Sequence, residues 1–353
     1  ISSPITSKRS MSSSIECHDA KQRLVIALGD PAGIGMEVTL KALADPRRPA
    51  DVPPPLLVGC RASLRRTADN LKLHSQDPFA DPDDLNVEDL PVPGGPLQPG
   101  DAGKRSGDSC FQWLTRAVEL VQQGEGRALV TAPIAKHAWH EAGHHYPGQT
   151  ERLAELDGHK AASMLFTAVS PATGWRLNTL LATTHIPIGR IAEVLSADLV
   201  ERKLDVLAGF CLRFNPSPRL LVAGLNPHAG EQGKLGGEEE QWLNSLLQQW
   251  SSKHPSVELR GPLPPDTCWL SSAQAWNNNN RDAPDGILAL YHDQGLIPVK
   301  LLAFDQAVNT TLGLSFLRTS PDHGTGFDIA GRGVARGASM LAAIQAAWEL
   351  SRA

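Results

Sequence analysis

Short, unbroken apolar runs alternate with amphipathic segments along most of this chain, and this alternation limits the fold more than any other feature. The first run, Arg23–Leu28, leads into the glycine-rich segment GDPAGIG and then into a helical pattern from Met36. Similar runs recur at Thr179–Thr184, Arg219–Leu225 and Gly286–Tyr291. Strands that are hydrophobic throughout are buried on both faces, which is typical of parallel sheets covered by helices. The pattern predicts an α/β protein with mostly parallel sheets in α/β/α layers.

Charge and cysteine content narrow the function classes. The net charge is −5 and there is no basic stripe, so we expect no nucleic-acid partner. No apolar run approaches the roughly 18–20 residues of a membrane span, so we expect no membrane partner. Five scattered cysteines without a CxxC pair argue against a disulfide framework and favour a reducing, cytoplasmic location. The polar residues 1–21 are expected to form a disordered tail, in which Met11 is an alternative start to Ile1.

Three of the apolar runs lead to a histidine: His185, His228 and His292. Ligands of parallel sheets bind beyond the carboxyl ends of the strands, so side chains distant in sequence can meet in one crevice. Three neutral imidazoles with an open coordination position suit a catalytic divalent metal ion, with zinc as the first choice. The alternative is that each histidine caps its own strand end, and the sequence alone leaves both possibilities open.

Polar residues near these positions are candidates for proton transfer and anion binding. Asp266 and Asp293 could each orient an imidazole, bind the metal ion or act as a general base. Lys300, Asn309 and Arg318 interrupt an otherwise apolar stretch and together could hold a phosphate or a carboxylate. The alternative for the two cations is that they lie on strand edges with their charged ends in solvent.

Two glycine-rich motifs are compatible with nucleotide binding but are not specific for it. The glycines of GDPAGIG lack the Rossmann spacing and indicate only a close approach of the backbone after a strand. The second motif, DHGTGFDIAG, contains Asp328, whose carboxylate could bind an adenosine ribose. An ordinary glycine-rich loop before the last helix is the alternative.

Several segments, in order along the chain, resemble the 4-hydroxythreonine-4-phosphate dehydrogenase family of vitamin B6 (pyridoxal phosphate) biosynthesis. They are GDPAGIGMEVTLKAL, TAPIAKHAWHEAGHHYPGQTERLAEL, TTHIPIGRI, LNPHAGEQGKLGGEE, GPLPPDT, YHDQGLIPVK and VNTTLGLSFLRTSPDHGTGFDIAGRG, within residues 22–350. The resemblance implies a fold similar to isocitrate and isopropylmalate dehydrogenases, with the active site in an interdomain cleft. It also implies an NAD- or NADP-dependent oxidative decarboxylation of 4-phosphooxy-L-threonine to 3-amino-2-oxopropyl phosphate and CO2.

The resemblance further implies roles for individual residues. One divalent ion (Zn, Mg or Co) would be bound by the three histidines, two from one subunit of a homodimer and the third from its partner. It implies that Asp266 and Asp293 are catalytic. It implies that the substrate is bound by Gln149, Thr150, Lys300, Asn309 and Arg318, and that the adenosine of NAD is bound by His323, Gly324 and Asp328.

Gln149 departs from the family pattern, because a substrate-contacting histidine is usual at this position. Glutamine keeps a donor and an acceptor but does not titrate near neutral pH. Hydrogen bonding can therefore survive, whereas a proton shuttle at this position cannot. The departure also keeps open a related four-carbon substrate, threonate or erythronate 4-phosphate.

The alternation of strands and helices over this length predicts two α/β domains. We place the first domain at 22–140 plus 300–353, and the second, with the metal ligands and the dimer contacts, at 141–299. The rival functions are a metal-dependent hydrolase that uses the same histidines, an acyltransferase acting on phosphate, and a non-catalytic sensor of a phosphorylated ligand.

Overall fold

The computed structural model describes residues 23–158, 161–278 and 282–352, which divide into two compact units. Of these residues, 23–158 and 314–352 form the first unit, and 161–278 and 282–313 form the second. The strands are Leu24–Ala27 (β1), Leu56–Gly59 (β2), Asn86–Asp89 (β3), Ala128–Thr131 (β4), Ser163–Val169 (β5), Arg176–Leu181 (β6), Arg219–Ala223 (β7), Glu258–Leu263 (β8), Gly286–Ala289 (β9), Val308–Leu312 (β10) and Leu317–Pro321 (β11). The α-helices are Gly35–Ala44 (α1), Arg61–His74 (α2), Lys104–Gln122 (α3), Lys136–Glu141 (α4), Gln149–Leu156 (α5), Ile191–Val194 (α6), Ala197–Leu212 (α7), Asn244–Lys253 (α8), Leu270–Asn277 (α9), His292–Ala303 (α10) and Ala338–Ser351 (α11).

The first unit contains five parallel strands in the order β3-β2-β1-β4-β11. Every residue of β1, β2 and β4 is buried, as their continuous apolar sequences predict. Helix α3 packs on β1, β2 and β4, and α11 packs on β1, β4 and β11. Strand β1 lies in the middle of the order, so the GDPAGIG loop that follows it begins at the centre of this group of strands.

The second unit combines antiparallel and parallel pairing, in the order β10-β5-β6-β9-β7-β8. Strands β10, β5 and β6 pair antiparallel, whereas β6, β9, β7 and β8 pair parallel. Helix α10 packs on β5, β6 and β9, and α7 packs on β6 and β9. The core beneath these helices includes Phe166, Leu181, Leu221, Trp276 and Ile287. The parallel strands therefore rest on a packed apolar layer that fixes where their ends lie.

The mostly parallel α/β fold predicted from the sequence is confirmed, and the predicted runs at 23–28, 179–184, 219–225 and 286–291 each contain an observed strand or its end. Strand β10 was not predicted, because its sequence VNTTL is rich in threonine although Thr310 and Thr311 are buried. Residues 1–21 lie outside the described residues. The predicted domain boundaries differ from the compact units of the structure: residues 141–158 belong to the first unit and residues 300–313 to the second.

The cysteines and the lengths of the helices bear on the expected absence of disulfides and of membrane spans. The four cysteines in the described part of the chain, Cys60, Cys110, Cys211 and Cys268, are buried and free. Burial raises the pKa of the Cys211 and Cys268 thiols to about 12, so both are protonated at neutral pH. None of the helices within residues 23–158, 161–278 and 282–352 is long and apolar enough to cross a membrane.

Two helical glycines provide a matched test of the packing. A Cβ atom on Gly107 of α3 would lie 1.9 Å from the Ala138 carbonyl oxygen, whereas one on Gly209 of α7 would meet no atom within 4 Å. Gly107→Ala should therefore push α3 away from α4 and lower the free energy of unfolding by about 1–3 kcal/mol. Gly209→Ala should raise it by up to about 1 kcal/mol, because alanine is the better helix former. Urea unfolding followed by circular dichroism measures both, and equal effects would contradict the packing described.

Candidate active site

Four neighbouring parallel strands of the second unit, β6, β9, β7 and β8, end at the same edge of the sheet. Their register aligns Leu180 with Leu288, Leu288 with Val222, and Ala223 with Leu263. Beyond these aligned positions the chain reaches His185, His292, His228 and Asp266 within three to six residues. Adjacent strands are separated by about 4.8 Å. The structure therefore places the three histidines beyond neighbouring strand ends, as the sequence predicted. Asp266 joins them because it follows β8, a strand that the sequence pattern did not predict.

His185 and His292 lie beside each other, with ring centroids 5.5 Å apart. They line a cavity of about 190 Å³ whose wall is completed by Thr184, Ile186, Ile188, Ile191, Tyr291 and Asp293. The Nδ1 atom of His292 lies 2.7 Å from Oδ1 of Asp293. A carboxylate only accepts hydrogen bonds, so the contact selects the tautomer in which Nδ1 carries the proton and Nε2 keeps its lone pair. This arrangement leaves Nε2 able to bind a metal ion.

Gln294 connects two of the strand ends, and the sequence analysis did not identify it. Its Oε1 accepts from the backbone N–H of Leu290, which follows β9, and its Nε2 donates to the carbonyl oxygen of Gly224, which follows β7 (both 2.7 Å). The side chain is buried. A polar residue directly after the HD pair, at the start of a helix, was the available signal. Gln294 thereby fixes the spacing between the segments that carry His292 and His228.

His228 lies in an unusual run of left-handed backbone. The φ angles are 53° at His228, 52° at Ala229, 43° at Glu231 and 57° at Gln232. Residues other than glycine rarely adopt this conformation, which costs of order 1–3 kcal/mol at each position. Such strain persists only where the surrounding structure imposes it. The conformation was not predicted, because the sequence around His228 contains no asparagine–glycine turn signal.

A buried carboxylate holds the start of this loop. Glu239 is fully buried, and its Oε1 accepts from the backbone N–H groups of Leu225 and Asn226 at 2.8 Å each. Its Oε2 accepts from Nδ2 of Asn226, also at 2.8 Å. Three hydrogen bonds to one charged group anchor the residues just before His228. Glu239 thus directs the loop without itself being a strand-end residue.

The metal site predicted from three histidines is only partly assembled within one chain. In the part of the chain that the structure describes, no group of three or more His, Cys, Asp or Glu side chains is arranged to hold a metal ion. His185 and His292 are brought together, and His228 stands outside that pair. The third ligand from a partner subunit, which the family resemblance implies, stays a prediction.

Two of the predicted anion-binding residues also belong to the second unit. Lys300 lies in the last turn of α10, half-buried, and not on a strand edge as the alternative interpretation supposed. Asn309 lies in β10, and its Oδ1 atom is buried without a hydrogen-bond partner among the described residues. A buried amide oxygen without a partner is costly unless a ligand or water satisfies it. Asn309 therefore fits a ligand-binding position.

The third, Arg318, lies in β11 of the first unit, where it is buried. Burial lowers the pKa of its guanidinium to about 10, which leaves it protonated at neutral pH. It donates to Oγ1 of Thr131 from Nε (2.9 Å) and from Nη2 (2.7 Å), and to Oε1 of Gln149 from Nη2 (3.1 Å). Thr150 follows Gln149 in the first turn of α5 and is half-buried. The structure therefore joins Arg318 and Gln149 in one cluster.

The two glycine-rich motifs contact each other in the first unit. The Ile34 N–H donates to the Thr325 carbonyl oxygen at 2.9 Å, and a Cβ on Gly33 would lie 2.8 Å from that oxygen. Nε2 of His323 is buried without a hydrogen-bond partner in the described residues, while Nδ1 lies 3.0 Å from the Gly324 carbonyl oxygen. Asp328 is exposed. The loop therefore offers one unsatisfied imidazole nitrogen and one accessible carboxylate to a ligand.

Asp30 of the GDPAGIG loop is fully buried, and the sequence analysis missed it. Burial raises the pKa of its carboxyl group, while hydrogen bonds from the Ala32 N–H (2.9 Å) and the Ser106 hydroxyl (3.2 Å) act in the opposite direction. The bond to Ser106 joins the loop to α3. An acidic residue directly after a glycine at a strand end was the available signal.

Comparison with known proteins agrees with these features. The family model of the pyridoxal phosphate biosynthetic protein PdxA matches residues 51–347. A 4-hydroxythreonine-4-phosphate dehydrogenase of Synechococcus sp. (strain RCC307) is 61% identical over 330 residues, covering 93% of this chain and 99% of the relative. A D-threonate 4-phosphate dehydrogenase of Salmonella typhimurium is 38% identical over 340 residues, covering 93% of this chain and 98% of the relative.

A solved structure gives the same result for the fold. The crystal structure of 4-hydroxythreonine-4-phosphate dehydrogenase from Klebsiella pneumoniae superposes with a TM-score of 0.78 at 38% identity, covering 94% of this chain and 99% of that one. The family resemblance found in the sequence is thus confirmed by a family match, by whole-length relatives and by a whole-length structural neighbour. The chain belongs to the PdxA family of pyridoxal phosphate biosynthetic proteins.

Proposed function

We propose that this chain catalyses the NAD- or NADP-dependent oxidation of 4-phosphooxy-L-threonine, followed by decarboxylation to 3-amino-2-oxopropyl phosphate. The 61% identical relative that carries the corresponding name supports this assignment. The observation that carries it is the alignment of His185, His292, His228 and Asp266 beyond four neighbouring parallel strand ends. Such an edge is where parallel sheets bind their ligands.

A divalent metal ion fits the residues at this edge. Two imidazoles bound to one tetrahedral ion place their ring centres about 5 Å apart, close to the 5.5 Å between His185 and His292. Three imidazole ligands favour zinc or cobalt over magnesium, which prefers oxygen. When bound, the ion lowers the pKa of a coordinated hydroxyl group. We propose that His185, His228 and His292 form the ligand set, with one of the three supplied by a second copy of the chain.

An exposed apolar stripe supports a homodimer. Helix α10 begins at His292. Its side chains Ile297 and Leu301 are 59% and 81% exposed, and Phe304, directly after the helix, is 66% exposed. Their spacing of four and three residues places them on one face of the helix. Large apolar side chains grouped on a surface mark contact with another protein. A second copy that covers this stripe would approach the helix that carries a metal ligand.

The two aspartates receive different roles in this proposal. Asp293 is hydrogen-bonded to Nδ1 of His292 and orients that imidazole. Asp266 is exposed beyond β8, and we assign it as the acceptor of the proton from the C3 hydroxyl. A bound nicotinamide would accept the C3 hydrogen as hydride, which would leave C3 as a ketone. The resulting β-keto acid breaks its C1–C2 bond, releases CO2 and takes up a proton at C2.

The remaining residues bind the substrate and the cofactor. Lys300, Asn309 and Arg318 supply an ammonium, an amide and a guanidinium for the phosphate and its neighbours. His323, Gly324 and Asp328 are proposed to hold the adenosine half of NAD or NADP. The unsatisfied Nε2 of His323 supports this proposal, because a ligand would complete its hydrogen bonding.

A second candidate is the oxidation of a four-carbon sugar-acid phosphate. The 38% identical relative named D-threonate 4-phosphate dehydrogenase favours it, and Gln149 departs from the histidine usual in the family. The two substrates differ in the group at C2, which is an amine in one and a hydroxyl in the other. Comparing kcat/KM for both substrates decides between them.

Removing the metal ion or one of its proposed ligands tests the reaction and its metal dependence together. Wild-type protein with 4-phosphooxy-L-threonine and NAD or NADP should produce the absorbance of reduced nicotinamide, and a chelator should abolish it. His228→Ala should lose bound metal and this activity together, because a ligand is removed. Elemental analysis and the absorbance assay measure both quantities, with the exposed His74→Ala as the control. Full activity of metal-free protein would overturn the scheme, and turnover without a nicotinamide would favour the hydrolase.

Glu239→Ala should weaken metal binding although Glu239 is not a ligand. Loss of the carboxylate frees the N–H groups of Leu225 and Asn226 and releases the strained loop at His228. Comparable losses of orienting residues reduce metal affinity by about 10–100-fold. Calorimetric titration with Zn²⁺ measures the change, and the exposed Glu240→Ala is the matched control. Equal zinc affinity in both variants would contradict the role of the loop.

Lys300→Ala should raise the KM for the phosphorylated substrate more than the KM for the cofactor. A charge-assisted hydrogen bond contributes about 1.5–3 kcal/mol, which corresponds to about a tenfold to hundredfold change in KM. Steady-state kinetics with each reactant varied in turn separates the two effects, and Lys253→Ala on the surface of α8 serves as the control. An equal rise in both KM values would argue against phosphate binding by Lys300.

A further inference from the structure

The side-chain amide of Gln149 contacts two partners of fixed polarity. Its Nε2 donates to the Ala132 carbonyl oxygen at 3.2 Å, and its Oε1 accepts from Nη2 of Arg318 at 3.1 Å. A carbonyl oxygen can only accept and a guanidinium can only donate. The reversed amide would set oxygen against oxygen and nitrogen against nitrogen. These partners therefore permit one orientation of the amide.

The same contacts fix the direction of the Arg318 side chain. Nη2 donates to Thr131 (2.7 Å) as well as to Gln149 (3.1 Å), and Nε donates to Thr131 (2.9 Å). Both protons of Nη2 and the proton of Nε are thus bound by the protein. The guanidinium is planar, so holding one edge fixes the direction of the whole group. An anion therefore meets a cation that is already oriented, which lowers the entropic cost of binding.

We infer that Gln149 is a positioning residue that orients Arg318 for the substrate's anionic group, and that its amide makes this orientation independent of protonation. This inference deepens the proposed function and rests on it. It assigns Gln149 a role that acts through Arg318, in place of the direct substrate contact that the family resemblance implies.

A histidine at this position would behave differently. A neutral imidazole could accept from Arg318 with one nitrogen and donate to Ala132 with the other. An imidazolium has two donors and a positive charge, so it would lose the bond to Arg318 and repel it. The unperturbed pKa of histidine is about 6.5, so this change would fall within the working range of many enzymes. Glutamine keeps one hydrogen-bond donor and one acceptor in the same positions throughout that pH range.

Other titratable groups surround this cluster and are the same in every variant below. Glu151 and Lys136 lie 3.3 Å (Oε2) and 3.8 Å (Nζ) from the position that a Cβ on Gly148 would take, just before Gln149. Asp30 and His137 interact electrostatically. The backbone N–H of Asp30 donates to the carbonyl oxygen of Pro133, the residue after Ala132. Their titration contributes equally to the wild type and to the variants, so a ratio of the two removes it.

The test is the pH profile of kcat/KM for the phosphorylated substrate in wild type, Gln149→His and Gln112→His. The last variant adds an imidazole on the exposed side of α3, where Gln112 bonds only to Asp108 among the contacts described. Relative to wild type, Gln149→His should lose about tenfold in kcat/KM for each pH unit below its imidazole pKa and should approach the wild type above about pH 8. Gln112→His should follow the wild-type profile. Superimposable profiles for Gln149→His and wild type would overturn the inference.

Two further measurements keep the result interpretable. Gln149→Asn is too short to reach both partners and should lower kcat/KM by a similar factor at every pH. A pH-dependent loss in that variant would count against the inference. Calorimetric binding of inorganic phosphate gives a readout without turnover, in which only Gln149→His should weaken at low pH relative to wild type. If the wild type binds phosphate but does not turn over the proposed substrate, the proposed function fails while the inference about Gln149 is still decided by binding.

Discussion

The buried amide of Gln294 is the contact on which the geometry of the second unit's site depends. It joins the backbone just after β9 to the backbone just after β7 through two hydrogen bonds of 2.7 Å. His292 lies two residues before it on the same helix, and His228 lies four residues beyond Gly224. Without the amide, a buried N–H and a buried carbonyl would each lose a partner, at about 1–3 kcal/mol apiece. The distance between the two histidine-bearing segments is therefore set by the protein before any ligand arrives.

The same principle recurs at other positions in both units. Glu239 fixes the backbone before His228, and Gln149 fixes the plane of Arg318. In each case a buried or half-buried polar side chain with fixed partners holds a residue that we propose to bind the metal ion or the substrate. Hydrogen bonds in a low-dielectric interior are strong when fully satisfied, so such contacts limit the conformations available to the functional group. Rigid placement of this kind would allow the proposed metal ion or an anion to bind without first ordering the protein.

Much of the fold and part of the site could be predicted from the sequence. Continuous apolar runs identified the central parallel strands, because burial on both faces leaves a clear signal. The position of His185, His228 and His292 after such runs placed them at one sheet edge, which the register of β6, β9 and β7 supports. The family motifs supplied the substrate class, since composition and periodicity carry no information about a particular metabolite.

What could not be predicted depends on contacts between residues distant in sequence. Strand β10 is buried through threonines, whose hydroxyl groups mask the hydrophobic pattern. Lys300 lies in a helix because β9 ends at Ala289 and α10 begins at His292, a boundary that the apolar pattern does not mark. The pairing of Gln149 with Arg318 joins positions 169 residues apart. No local pattern of residues encodes such a pair.

The left-handed backbone that begins at His228 also limits which residue types can occupy these positions. Ala229, Glu231 and Gln232 hold positive φ angles without the relief that a missing side chain provides. Glycine and asparagine tolerate this conformation, whereas valine, isoleucine and threonine are excluded from it by their branched Cβ atoms. Among relatives, drift at these three positions should accordingly run toward glycine and asparagine and away from β-branched residues. That bias would mark the loop in sequences too divergent for the histidine alone to be recognised.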